Sequence, residues 1–256
     1  MIKSATQLIF MERFLERVAM SEYKDKFILK GGMLVASLVG LATRATMDID
    51  ATVNALPLTE TEIKNIVTEI GNIQLEDNIT FEITSTETIM DDFDYPGIRV
   101  HMEGKLDNLK QPIKIDISTD DVITPRAVEY GYRLMFEDRK IRLQSYNIET
   151  LLAEKTQTIL SRGLANTRMR DFYDIYEIVH RKDFDNNLFK SAFFATCAKR
   201  NTVFEAEQVR DMAEEMAASD ELKDRWNQFR DKNYYVEELD FEDVMWAVRN
   251  VISITV

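Results

Sequence analysis

Apolar residues recur at helical spacing over residues 4–20, where Leu8, Phe14, Leu15 and Val18 predict an opening helix. A short apolar run, Phe27-Ile28-Leu29, then ends in Lys30-Gly31-Gly32 and is followed by a second helical stretch. The next run alternates. On a strand, Met47, Ile49 and Ala51 face a core while Asp48 and Asp50 share the open side. A turn is expected over 54–58, and Thr59 with Glu60 and Glu62 reads as an N-cap with an acidic first turn. That helix should run to about Ile70. Three strand-like runs follow, at 79–89, 98–106 and 113–118, separated by turn residues that include Asp94-Tyr95-Pro96-Gly97 and Asp107-Asn108. Beyond Asn147 the pattern is helical almost throughout, at 148–160, 168–181, 188–199, 206–217, 220–231 and 241–252. The expected fold class is therefore α+β: a mixed sheet with helices over 1–145, then an all-helical domain over 146–256.

The third run sharpens the chemistry. In Pro112 to Ser118, Ile113, Ile115 and Ile117 share one face, and Lys114, Asp116 and Ser118 share the other. If this strand neighbours the Asp48/Asp50 strand, three carboxylates meet on an open face. Carboxylates held that close repel unless a cation lies between them, and hard divalent ions take carboxylate oxygens. Three of them could hold two metal ions. Asp116 read alone fits a surface strand edge equally well. The diglycine ahead of a helix is a plausible phosphate seat. In the helical half, Lys155 and Thr158 share one helical face, and Asp171 and Asp174 repeat that spacing on the next helix. These could be ordinary ion pairs. The nearby Arg162, Arg168 and Arg170 could contact phosphates or balance the two aspartates.

Composition narrows the partners. A net charge of −13 disfavours a protein that wraps nucleic acid unselectively, so any RNA would need a local basic patch. A single cysteine, Cys197, excludes an internal disulfide and a cysteine-rich metal site. It reads as a small buried hydrophobe. Glu12, Arg13, Glu16 and Arg17 interrupt the first helix, leaving neither a signal-peptide core nor a membrane span, and a cytoplasmic location is expected. His101 and His180 form no metal site. Trp226 and Trp246 read as core or interface anchors.

The order of these motifs resembles the AbiEii/AbiGii-type nucleotidyltransferase toxins of abortive-infection and toxin–antitoxin systems, relatives of the polymerase-β-like nucleotidyltransferases. The resemblance rests on LKGG at 29–32, Arg44 before Thr46-Met47-Asp48-Ile49-Asp50, and KIDIST at 114–119 with Asp121 and Pro125 after it. It continues through LLAEKTQTIL at 151–160 and RDFYDIYEI at 170–178. It implies a polymerase-β-like fold and Mg²⁺-dependent transfer of a nucleoside monophosphate from an NTP to an RNA, tRNA among them, or to a protein. Abortive infection and a cognate antitoxin encoded nearby come with it. Carried over by residue, Asp48 and Asp50 bind Mg²⁺, with Asp116 as the superfamily's third carboxylate. Lys30, Gly31 and Gly32 hold the nucleotide phosphates, and Lys155 with Thr158 contacts the triphosphate. Asp171 is an active-site carboxylate, with Asp174 the weaker candidate. Lys155 would have to reach the sheet, which predicts a cleft between the domains. The superfamily's Gly-Ser pair is here Gly31-Gly32, so backbone amides must replace the hydroxyl. Two alternatives stay open: adenylylation of a small cationic molecule such as an antibiotic, and a non-catalytic binding module of the same fold.

Overall fold

The computed structural model describes residues 2–40, 44, 46, 48–54, 59–90, 96–119, 121–236 and 238–255. Met47, the expected turn beyond Asn54 and the Asp94-Tyr95 part of the later turn lie outside the described residues. Two compact units emerge, one of residues 1–121 and 127–146, the other of 122–126 and 147–256.

The first unit is built on a mixed sheet. Its strands are β1 (Phe27–Lys30), β2 (Ile49–Val53), β3 (Thr80–Met90), β4 (Pro96–Leu106), β5 (Leu109–Thr119), β6 (Val128–Arg133) and β7 (Lys140–Ser145), in the order β3-β4-β5-β2-β1-β7-β6. The β2/β5 and β1/β7 pairs are parallel and the others antiparallel. Alternation decides the faces. Leu29, Ile49, Ala51, Val53, Val100, Ile113, Ile115 and Ile117 are buried, whereas Lys30, Asp50, Asp116 and Ser118 on the other face are only partly covered.

Helices α1 (Ile2–Met20), α2 (Gly31–Val39) and α3 (Glu60–Gly71) pack on the sheet. The Phe14 ring meets Phe27 and Phe81 edge-on, at 6.5 and 5.7 Å between centroids. Gly104 of β4 leaves room for Phe10, whose ring would lie 2.3 Å from any Cβ there. The fully buried Arg17 is satisfied: it donates to the Asp77 carboxylate at 2.8 and 2.9 Å and to the carbonyls of Ile73 and Ile79. A guanidinium buried this deeply is tolerable only with such a set of acceptors. Thr59 caps α3 as expected, accepting from the Glu62 N–H.

Strands β6 and β7 were not expected from the sequence. β7 carries a plain alternation, with Ile141, Leu143 and Ser145 buried, while the edge strand β6 buries only Tyr132 among mostly exposed neighbours. A polar edge strand gives little apolar signal.

The second unit is helical: α4 (Ile148–Arg162), α5 (Met169–Arg181), α6 (Asn186–Lys199), α7 (Ala206–Ala217), α8 (Asp220–Lys232) and α9 (Phe241–Thr255). Asn147, Asp185 and Ser219 cap α4, α6 and α8 through side-chain oxygens. Cys197 and Trp226 are buried, and the Trp226 indole donates to the Leu239 carbonyl at 3.0 Å. Trp246 is 53% exposed, so of the two readings, core or interface anchor, the core one does not hold for it. It lies on the outer stripe of α9, in a tilted ring contact with His180, which makes another with Tyr176. No helix among the described residues is long and apolar enough to cross a membrane.

Candidate active site

Register assembles the first unit's charged face. Lys30 at the end of β1 sits opposite Asp50 on β2, Asp50 is the parallel partner of Asp116 on β5, and Asp116 is opposite Arg99 on β4. Partners across a ladder project to one face, so four strands present a row in which two adjacent carboxylates, Asp50 and Asp116, lie between two cations, Lys30 and Arg99. Asp48 stands at the mouth of β2, with Lys114 Nζ 3.0 Å from its carboxylate.

The Gly31-Gly32 step shapes the centre of this row. Gly31 has a φ of 58°, and a Cβ there would fall 2.3 Å from Asp50 Oδ2. Only glycine combines that dihedral with that approach. The Gly32 N–H donates to the same oxygen at 2.9 Å, so here the backbone serves Asp50. A Cβ at Gly32 would meet the buried Arg44 guanidinium at 2.5 Å. The start of α2 is thus flanked by two cationic side chains, Lys30 and Arg44, which suits phosphate.

Electrostatics distinguish the three carboxylates. Burial pushes the Asp50 carboxyl above its ordinary range; the Gly32 N–H and Lys30 oppose this, and the negative charges of Asp116 and Asp48 add to it. A cation would relieve that repulsion, and hard carboxylate oxygens from Asp48 and Asp50 fit Mg²⁺, which commonly binds one or two carboxylates together with substrate phosphates. Asp116 is placed differently from the expected third ligand. Its two oxygens accept from Arg99 Nε and Nη2 at 2.8 and 2.9 Å. Among the described residues, no set of three His, Cys, Asp or Glu side chains converges as a metal site.

Three polar partners lay outside the sequence reading. Lys114 was seen only as a neighbour of Asp116. Arg99 was legible: Asp107 and Asn108 form a two-residue turn with Leu106 opposite Leu109, and counting back along both strands pairs Arg99 with Asp116. Tyr146 gave no local signal. Its hydroxyl donates to Asp121 at 2.9 Å.

In the second unit, Lys155 Nζ lies 2.7 Å from Asp171 Oδ1 and 2.7 Å from Asp174 Oδ2, all three side chains being buried. Arg168 Nε adds a contact to Asp171 at 2.9 Å. Burial alone would raise the Asp171 carboxyl, but Lys155 and Arg168 outweigh it and hold the group below its usual range. Thr158 departs from this cluster and accepts instead from Arg200 at 3.1 Å.

Comparison with known proteins adds a second line of evidence. The family model described as nucleotidyl transferase AbiEii toxin, type IV TA system, matches residues 13–250. Two solved structures from Helicobacter pylori share the fold at 14% identity each. One, a candidate nucleotidyltransferase, has a TM-score of 0.56 and the alignment covers 98% of this chain and 94% of that one. The other, JHP933, has a TM-score of 0.57 with 98% and 91% covered. No curated protein matches the chain.

Proposed function

This chain belongs to the AbiEii family of nucleotidyltransferase toxins of type IV toxin–antitoxin systems, and from that premise we propose that its charged sheet face transfers a nucleoside monophosphate from an NTP to RNA, tRNA among the acceptors, or to a protein, arresting growth during phage infection. The acceptor's nucleophilic oxygen attacks the α-phosphorus, the bond to the β-phosphate oxygen breaks, and pyrophosphate leaves. Such a reaction asks for positioning and charge neutralisation rather than covalent help from the protein.

The observation that carries the reading is the juxtaposition of Asp50, two residues after Asp48, with the Gly31-Gly32 start of α2. Asp48 and Asp50 would hold Mg²⁺, which when bound offsets phosphate charge and orients the triphosphate. Lys30 and Arg44, beside the start of α2, seat the phosphates, while the Gly32 N–H holds Asp50. Asp116 holds Arg99 in line beside Asp50. Lys155, charged against Asp171 and Asp174, is assigned to the triphosphate, with Thr158 in support and Asp171 as the active-site carboxylate. A cognate antitoxin is the expected partner.

Purified protein incubated with each α-labelled NTP, Mg²⁺ and total cell RNA or protein should label an acceptor, and Asp48→Ala should abolish the label. Absence of transfer by the wild type to every acceptor, across all four NTPs, would defeat the proposal.

A further inference from the structure

Beside the proposed phosphate seat lies a further carboxylate that the transfer chemistry does not use. Asp121 follows β5, and one of its oxygens, Oδ2, receives three donors. Ser118 Oγ is 2.7 Å away, Tyr146 OH is 2.9 Å away, and Lys30 Nζ makes an ion pair with the same atom. The Lys30 ammonium also lies 5.8 Å from the centroid of the Tyr146 ring. Lys30 and Asp121 are both largely shielded, at 14% and 18% side-chain exposure. A lysine ammonium on four methylenes is ordinarily a mobile point charge with large rotamer entropy. Here the carboxylate and the ring restrict it.

The placement matters because Lys30 sits opposite Asp50 in the β1/β2 ladder and immediately precedes Gly31. We propose that Asp121 is a positioning residue for nucleotidyl transfer, fixing the Lys30 ammonium at the Asp50 end of the sheet so that NTP phosphates meet an already ordered cation. This rests on the nucleotidyltransferase reading of the same face. Pre-ordering removes part of the entropy that binding would otherwise cost. Asp121 acts through Lys30 and touches no reacting atom. Ser118 and Tyr146 hold Asp121 in turn, Ser118 from the same strand as Asp116 and Tyr146 from just beyond β7.

The test is direct NTP binding to the full chain with Mg²⁺, measured by calorimetry, beside transfer kinetics. Asp121→Asn should weaken NTP binding about tenfold, the scale of one charge-assisted hydrogen bond, and raise KM more than it lowers kcat. Asp121→Glu should restore part of the loss. In a Lys30→Met background, Asp121→Asn should change nothing further, since its route of action is gone. Equal losses in both backgrounds would show a merely structural role and overturn the proposal, as would unchanged binding by Asp121→Asn. If that variant does not fold, Tyr146→Phe and Ser118→Ala take its place, each expected to weaken binding about threefold only when Lys30 is present. Wild-type protein that binds none of the four NTPs would instead remove the underlying reading of the face. Binding by the wild type with a null effect of Asp121 removes the positioning role alone.

Discussion

Glu12 is the buried acid whose protonation should be visible in folding. It projects from α1, is 2% exposed, and accepts from the Tyr132 hydroxyl at 3.2 Å and from the Met135 N–H at 3.0 Å. Burial raises its pKa from 4.5 to about 7, against the opposing pull of Met135, Tyr132, Arg13 and Arg139. A carboxyl whose folded pKa lies above its unfolded value binds protons more tightly when folded. Its contribution is therefore complete below pH 4.5 and is lost as pH rises through about 7. That shift, at 1.36 kcal/mol per unit, corresponds to about 3 kcal/mol. Glu12→Gln cannot titrate. Urea denaturation of both proteins at half-unit steps from pH 4.5 to 8.5 isolates the effect, since the other titrating groups cancel in the difference. Any constant offset between Gln and protonated Glu drops out as well. The stability of wild type relative to the variant should fall by about 3 kcal/mol across that range. A flat difference, with unchanged m-values, would show that Glu12 is solvated or relaxes on ionisation, and the argument from burial would fail.

Two further substitutions probe the site's scaffold. Lys155→Ala removes the ammonium shared by the buried Asp171 and Asp174 carboxylates and should cost about 3–5 kcal/mol in denaturant unfolding; stability equal to wild type would mean that the cluster is not energetically coupled. Gly31→Ala forces a Cβ onto Asp50 at a positive φ and should cost about 1–2 kcal/mol while cutting transfer at least tenfold. Gly131→Ala, whose new Cβ meets only the Lys140 side chain at 3.5 Å, is the matched control and should leave both quantities unchanged.

What the sequence disclosed depended on whether the relevant signal was local. Asp48-Ile49-Asp50 and Ile113-Lys114-Ile115-Asp116 were readable because a strand's period of two assigns faces residue by residue. Capping by Thr59 was readable for the same reason: cap and recipient lie three residues apart. Trp246 was equally local, and its spacing excludes the core half of the anchor reading. It falls on the α9 stripe with Glu242, Asp243, Asn250 and Ser253, all exposed, while Val244, Met245, Ala247 and Val248 turn inward. Periodicity there outranks the general preference of tryptophan for burial. Strand order is a different matter. Nothing between 27 and 145 states that β7 pairs parallel with β1, because that contact is decided by packing across more than a hundred residues.

Asp116 joins the two kinds of information. Its neighbour Asp50 comes from the parallel β2/β5 pairing, a long-range event that the sequence permits without requiring. Its other neighbour, Arg99, comes from a two-residue turn that fixes every pair along the β4/β5 hairpin. Following only the carboxylates leads to a three-aspartate metal cluster. Following the hairpin register as well gives Asp116 a bidentate guanidinium partner, and a guanidinium in that geometry does not release both oxygens without losing two charge-assisted hydrogen bonds. In this structure the cation facing Asp116 is Arg99, and the proposed function accordingly assigns a metal ion to Asp48 and Asp50.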